Sequence, residues 1–134
     1  MNEIALLSPE GLVQSPAFSH VAVVPPSATT IHVGGQNAVD PTGTVIGGDD
    51  VAAQVSQTLD NVETALAAAG AGLSDTIAWS VLMVDGADLQ AAYAVVASRL
   101  VTDGPPPLVT FARVSGLGVP GALVEVTVTA AVVR

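Results

Sequence analysis

The chain has 134 residues, half of them apolar and only 11% charged, against about 25% charged in an average soluble domain. Twelve acidic residues stand against three arginines (Arg99, Arg113, Arg134) and no lysine. The net charge of −9 argues against nucleic-acid and anionic-membrane partners, which need clustered cations.

Met1–Ile4 lacks a basic stretch leading into an apolar one, so no secretory leader is read and a cytoplasmic location is expected. A short strand is allowed near Ile4–Leu7. Residues 20–24 and 30–35 are β-branched and flank Pro25-Pro26-Ser27, which predicts two strands joined by a turn. Asp40-Pro41-Thr42-Gly43 is a further turn, and Gly47-Gly48 a further break.

Asp49 and Asp50 stand at a helix N-cap. Val51, Val55, Leu59, Val62, Leu66 and Ala69 then recur at helical spacing, with Gln57, Asp60, Asn61, Glu63 and Thr64 opposite and Gly70 as the stop. Residues 76–84 read as a buried strand around Trp79. A second helix is predicted from Asp88 to Val101, with Leu89, Tyr93, Val96 and Leu100 as its apolar stripe. Asp103-Gly104-Pro105-Pro106-Pro107 ends it. Residues 108–114 form a strand, 116–121 a loop, and 122–133 a last strand. In that strand Val124, Val126 and Val128 alternate with Glu125, Thr127 and Thr129.

One domain, residues 1–134, is expected at this length. Two helices covering one face of a mixed sheet give an α+β two-layer sandwich. The other sheet face is then left bare. Together with the sparse charge, this points to burial between subunits. No cysteine is present, so thiolate chemistry and disulfides are excluded. His20 and His32 have no convincing carboxylate company, and no metal is expected. Gly34-Gly35 and Gly47-Gly48 lack the lysine of a phosphate loop.

Several segments in order resemble the RidA/YjgF family, also labelled endoribonuclease L-PSP. They are Phe18-Ser19-His20, Val33-Gly34-Gly35-Gln36, Gln54 to Val62 continuing to Gly70, and Pro120 to Val126. The resemblance covers about residues 15–132. It implies a chorismate-mutase-like fold and a homotrimer with a central barrel and small-molecule clefts between subunits. Active family members hydrolyse 2-imino acids or their enamine tautomers to 2-keto acids and ammonia, without metal or cofactor.

Such hydrolysis needs a cation for the substrate carboxylate, a group to orient water, and donors for developing charge. By resemblance Glu125 takes the water-orienting role. The family arginine that pairs with the carboxylate falls, by ungapped counting back from Glu125, on Val109. Arg113 lies four residues on, roughly 13 Å along a strand. Phe18 replaces a usual tyrosine and Gly34 a common serine, while Gln36 is retained. The expected ligand cleft is Phe18, Gly34, Gln36, Val109, Thr110 and Phe111. Two functions follow: a Rid-type deaminase with altered specificity, or a non-catalytic small-molecule-binding or scaffold trimer. Ribonuclease activity fits poorly with so few cations.

Overall fold

Asp50 starts the long helix. Its backbone is extended (φ −82°, ψ 103°), and its carboxylate accepts the Ala53 amide at 3.1 Å. This satisfies one of the free N–H groups of the first turn. In this computed structural model, which describes residues 2–134, α1 runs Val51–Ala68. Gly70 follows with φ +73°, and the Ala71 amide returns to the Leu66 carbonyl, the left-handed stop its glycine allows. Helix α2, Leu89–Arg99, is capped in the same way by Asp88 on the Ala91 amide.

Strands β1 (Ala5–Leu7) and β2 (Val21–Val23) form an antiparallel ribbon. The main sheet contains β3 (Ala28–Gln36), β4 (Thr76–Val84), β5 (Leu108–Val114) and β6 (Val124–Val133), in the order β3-β6-β4-β5. The β4–β5 pair is parallel and the other two pairs are antiparallel. This is the expected mixed-sheet α+β architecture with two helices.

Two local expectations need correction, while the strand–turn–strand expected around Pro25-Pro26 is present as β2 and β3, which pair not with each other but with β1 and β6 respectively. Pro25 and Pro26 offer no amide to a ladder, so the turn redirects the chain out of the ribbon. On α2, Leu89 and Tyr93 are exposed, whereas Ala92 is buried and Val95, Val96 and Leu100 pack on the core. This helix lies against α1, and the small buried Ala92 permits close approach. Finally, β6 begins at Val124, because Gly121 (φ +86°) and the Ala122-to-Val119 hydrogen bond keep residues 119–122 in a turn.

The core lies between helices and sheet. Val55, Leu59, Val62 and Leu66 of α1 meet Val33, Trp79, Met83, Val124, Val126 and Val128. Trp79 donates its indole N–H to Thr76 Oγ1 at 2.8 Å, and that hydroxyl donates to the Leu73 carbonyl at 2.6 Å, so the buried polar atoms are satisfied. On the opposite face of β6, Glu125, Thr127 and Thr129 are only partly buried. No helix of the described residues is long and apolar enough to cross a membrane.

Candidate functional site

Glu125 sits on the sheet face away from the helices. Its cross-strand partner on β4 is Leu82, whose partner on β5 is Ala112. The next row along is Thr127, Ser80 and Thr110. Glu125 thus shares its face with three hydroxyl side chains and two aliphatic ones. Among the described residues its carboxylate has no ion-pair partner: both salt bridges belong to Arg99.

A bulge shapes the other side of Glu125. Val33 pairs with Val128 but Gln36 pairs with Val126, so β3 carries one extra residue at Gly34–Gly35. Gly35 brings bare backbone against the carboxylate. A Cβ there would lie 2.9 Å from Glu125 Cδ and 3.1 Å from Oε2. Gly34, by contrast, faces open space.

The strand bearing Glu125 is fixed by polar anchors on both sides. Gln54 of α1, fully buried, donates to the Gly48 and Gly121 carbonyls and accepts the Leu123 amide at 2.8 Å. Asn37 donates to the Val124 carbonyl at 3.0 Å, and Asn61 in turn holds the Asn37 and Val39 carbonyls, each at 2.8 Å. The turn that follows is closed by Asp40, which accepts from the Thr42 hydroxyl at 2.6 Å and the Thr44 amide at 3.0 Å. Those donors, Thr42 first, hold the Asp40 carboxyl below its ordinary value.

The remaining predicted cleft residues lie elsewhere in the protomer. Gln36 is opposite Val126, on the helix side, and donates back to the Gly34 carbonyl at 3.1 Å. Val109 and Phe111 pair with Trp79 and Val81, also on the helix side, at the exposed edge of the sheet. Phe18 packs edge-on against His20, with ring centroids 5.4 Å apart, and neighbours β5 through the Ser19–Leu108 bridge. Of the named group, Thr110 shares the Glu125 face, two strands away or about 10 Å.

No arginine reaches Glu125. Arg99 spans from α2 to Asp60 (2.8 Å) and Glu63 (3.0 Å) on α1. Arg113 shares the helix-side row of Met83, donates to the Ala87 carbonyl at 3.0 Å and lies over the Phe111 ring. Arg134 donates to the Ala69 carbonyl at the end of α1. His32, opposite Thr129, is on the Glu125 face but four residues along, about 13 Å away. Among the described residues no group of three or more His, Asp or Glu side chains could hold a metal.

The family model for endoribonuclease L-PSP matches residues 12–132, nearly the whole length. The chain belongs to the Rid/L-PSP family. Among solved structures, this Rid protein is similar to the Rid-family protein YyfB of Yersinia pestis, described as of unknown function. The two share 30% identity and a TM-score of 0.83, over 98% of this chain and 100% of that one. It also resembles Rv2704 of Mycobacterium tuberculosis, a YjgF/YER057c/UK114-family member, at 25% identity and TM-score 0.64 over 97% and 100% of the chains. The yeast protein YEO7, at 21% identity and TM-score 0.69 over 96% and 98%, shares the fold. No functionally curated protein matches the sequence.

Two features of this Rid site escape a reading by motif. Gly35 was visible as part of a Gly-Gly step inside a strand, which signals a bulge, but which side chain the bulge faces depends on register. Gln54 and Asn37 are polar residues in otherwise apolar surroundings. Their function as clamps on β6 depends on contacts across 67 to 87 residues of sequence.

Proposed function

We propose that this Rid protein is an imine or enamine hydrolase. It works in clefts between the subunits of a homotrimer built from single 1–134 domains, on a substrate other than the usual 2-imino acids. The observation that carries this reading is the division of the candidate residues. Glu125 and the glycine bulge lie on one sheet face, while Phe18, Val109 and Phe111 lie at the exposed β5 edge on the other side. One protomer therefore offers two half-sites. A closed rotational assembly apposes different surfaces of neighbouring copies, and so can join the halves. The sheet face left bare by the helices supplies the surface to bury.

The chemistry fits a lone carboxylate. Water bound to Glu125 attacks the carbon of a protonated imine. Glu125 takes the water proton as the C=N π pair moves to nitrogen. The resulting carbinolamine receives that proton on nitrogen. Glu125 then takes the hydroxyl proton as that O–H pair forms C=O and the C–N bond breaks, and the departing ammonia takes the proton from Glu125 to leave as ammonium. In balance, one iminium ion and one water give one aldehyde or ketone and one ammonium ion, with Glu125 returned as the carboxylate. Val109, at the position of the family's carboxylate-binding arginine by ungapped counting, offers no charge-assisted contact, a loss of about 1.5–3 kcal/mol for a carboxylate substrate.

The test is ammonia release from 2-iminopropanoate, generated in place by an amino-acid oxidase. The wild type is expected to be slow, Val109→Arg at least tenfold faster, and Glu125→Gln inactive in either background. Equal rates with and without Glu125 would remove the carboxylate from the chemistry. If no imine is turned over by any form, the non-catalytic binding trimer is the better reading.

A further inference from the structure

Resting on the reading that Glu125 is the reacting group, we infer that the substrate is a protonated imine with no carboxylate of its own, formed from an amine and not from an amino acid. The Glu125 face holds one carboxylate and no arginine. Glu125 lies against the Gly35 backbone, and the face also carries the hydroxyls of Thr127, Ser80 and Thr110 and the aliphatic Leu82 and Ala112. A substrate carboxylate there would meet a like charge, with only neutral hydroxyl donors beside it and the nearest imidazole, His32, about 13 Å along the face.

A second copy brings only the same three arginines, and each is already engaged: Arg99 with two carboxylates, Arg113 with the Ala87 carbonyl and the Phe111 ring, Arg134 with the Ala69 carbonyl. The net charge of −9 attracts small cations and repels anions. An iminium ion meets these conditions. Its planar N–H donors suit the carboxylate and hydroxyl acceptors, and apolar substituents suit Phe18, Val109 and Phe111.

The reaction that supplies such a substrate is the two-electron oxidation of an amine. A hydride leaves the amine carbon for a flavin or nicotinamide acceptor, and the nitrogen lone pair forms the C=N bond. Hydrolysis then yields an aldehyde or ketone and ammonium.

The test compares two stable probes by calorimetric titration of the full-length protein. Acetamidinium presents a planar, protonated C=N group; 2-oxopropanoate presents the product carboxylate of a 2-imino acid. Acetamidinium is expected to bind at least tenfold more tightly than 2-oxopropanoate. Glu125→Gln should weaken acetamidinium at least tenfold, while Glu125→Asp holds it within about threefold. On the wild type alone, acetamidinium should shift the backbone amide resonances of Gly35 and Glu125, a readout that needs no variant to fold. Tighter binding of 2-oxopropanoate, or acetamidinium binding that ignores Glu125→Gln and leaves those resonances in place, overturns the inference. Acetamidinium held through Glu125 with no imine turned over would overturn the hydrolase reading while supporting the ligand class. Turnover with 2-oxopropanoate preferred would do the reverse.

Discussion

The α-carbon of Gly35 lies against the side chain of Glu125, so closely that a methyl group on Gly35 would stand 2.9 Å from the carboxyl carbon. Replacing Gly35 by alanine should therefore move the carboxylate. The obstacle is a flexible side chain on a partly open face, so unfolding free energy should fall by only about 1 kcal/mol, at the low end for an overpacked site. Acetamidinium affinity should fall about tenfold, which corresponds to about 1.4 kcal/mol. Thermal melting and calorimetric titration of the same variant separate the two effects.

Gln54 is the anchor between α1 and the start of β6. Gln54→Ala removes three hydrogen bonds, leaves the Leu123 amide without its acceptor, and opens space beside a fully buried position. With each bond worth about 0.5–1.5 kcal/mol, the expected loss is about 2–4 kcal/mol in denaturant unfolding. Gln54→Glu keeps the Leu123 contact but loses the donor to both carbonyls, and should also destabilise.

Arg99 joins the two helices through Asp60 and Glu63, and its side chain keeps 24% of its exposure. Screening by solvent limits its value, so Arg99→Met should cost about 0.5–1 kcal/mol, and the difference from wild type should shrink in high salt. Urea melts at low and high ionic strength check this.

Asp40 gives a pH prediction. The Thr42 hydroxyl and the Thr44 amide lower its pKa in the folded chain. An unfolded-state value above the folded one means that the contribution is present above the unfolded pKa and is lost as pH falls through the folded one. A carbon-13 titration should place the Asp40 midpoint below the ordinary aspartate value of about 3.9. Asp40→Asn should flatten the acid limb of the stability curve.

The elements with strong local signals were legible in the sequence. Asp50 and Gly70 bracket α1 because capping and left-handed backbone are decided within a few residues. The alternation of Val124, Val126 and Val128 with Glu125, Thr127 and Thr129 placed Glu125 on the bare face of β6. Failures arose where tertiary partners decide. Tyr93 has helical spacing with Val96 and Leu100 yet is exposed, because α2 turns its Ala92 face inward. Val109 and Glu125 are assigned by resemblance to one intersubunit cleft; the β4–β5 register and the β4–β6 register, unbroken from Ala78 to Met83, set them on opposite faces of one protomer's sheet, so a cleft holding both needs a second copy. Counting along a chain gives spacing within a strand, but not how strands stagger against one another or which copies meet.

The most direct measurement of whether Glu125 carries the chemistry is the initial rate of ammonia release from two imines, side by side. One is 2-iminopropanoate, and the other is benzaldimine made from benzylamine by a flavin-dependent amine oxidase. Each is measured with wild-type protein, with Glu125→Gln and with no protein. The expected result is acceleration by the wild type, larger for benzaldimine, and none by Glu125→Gln. Rates that are the same in all three samples for both imines would contradict the assignment of Glu125 as the reacting group.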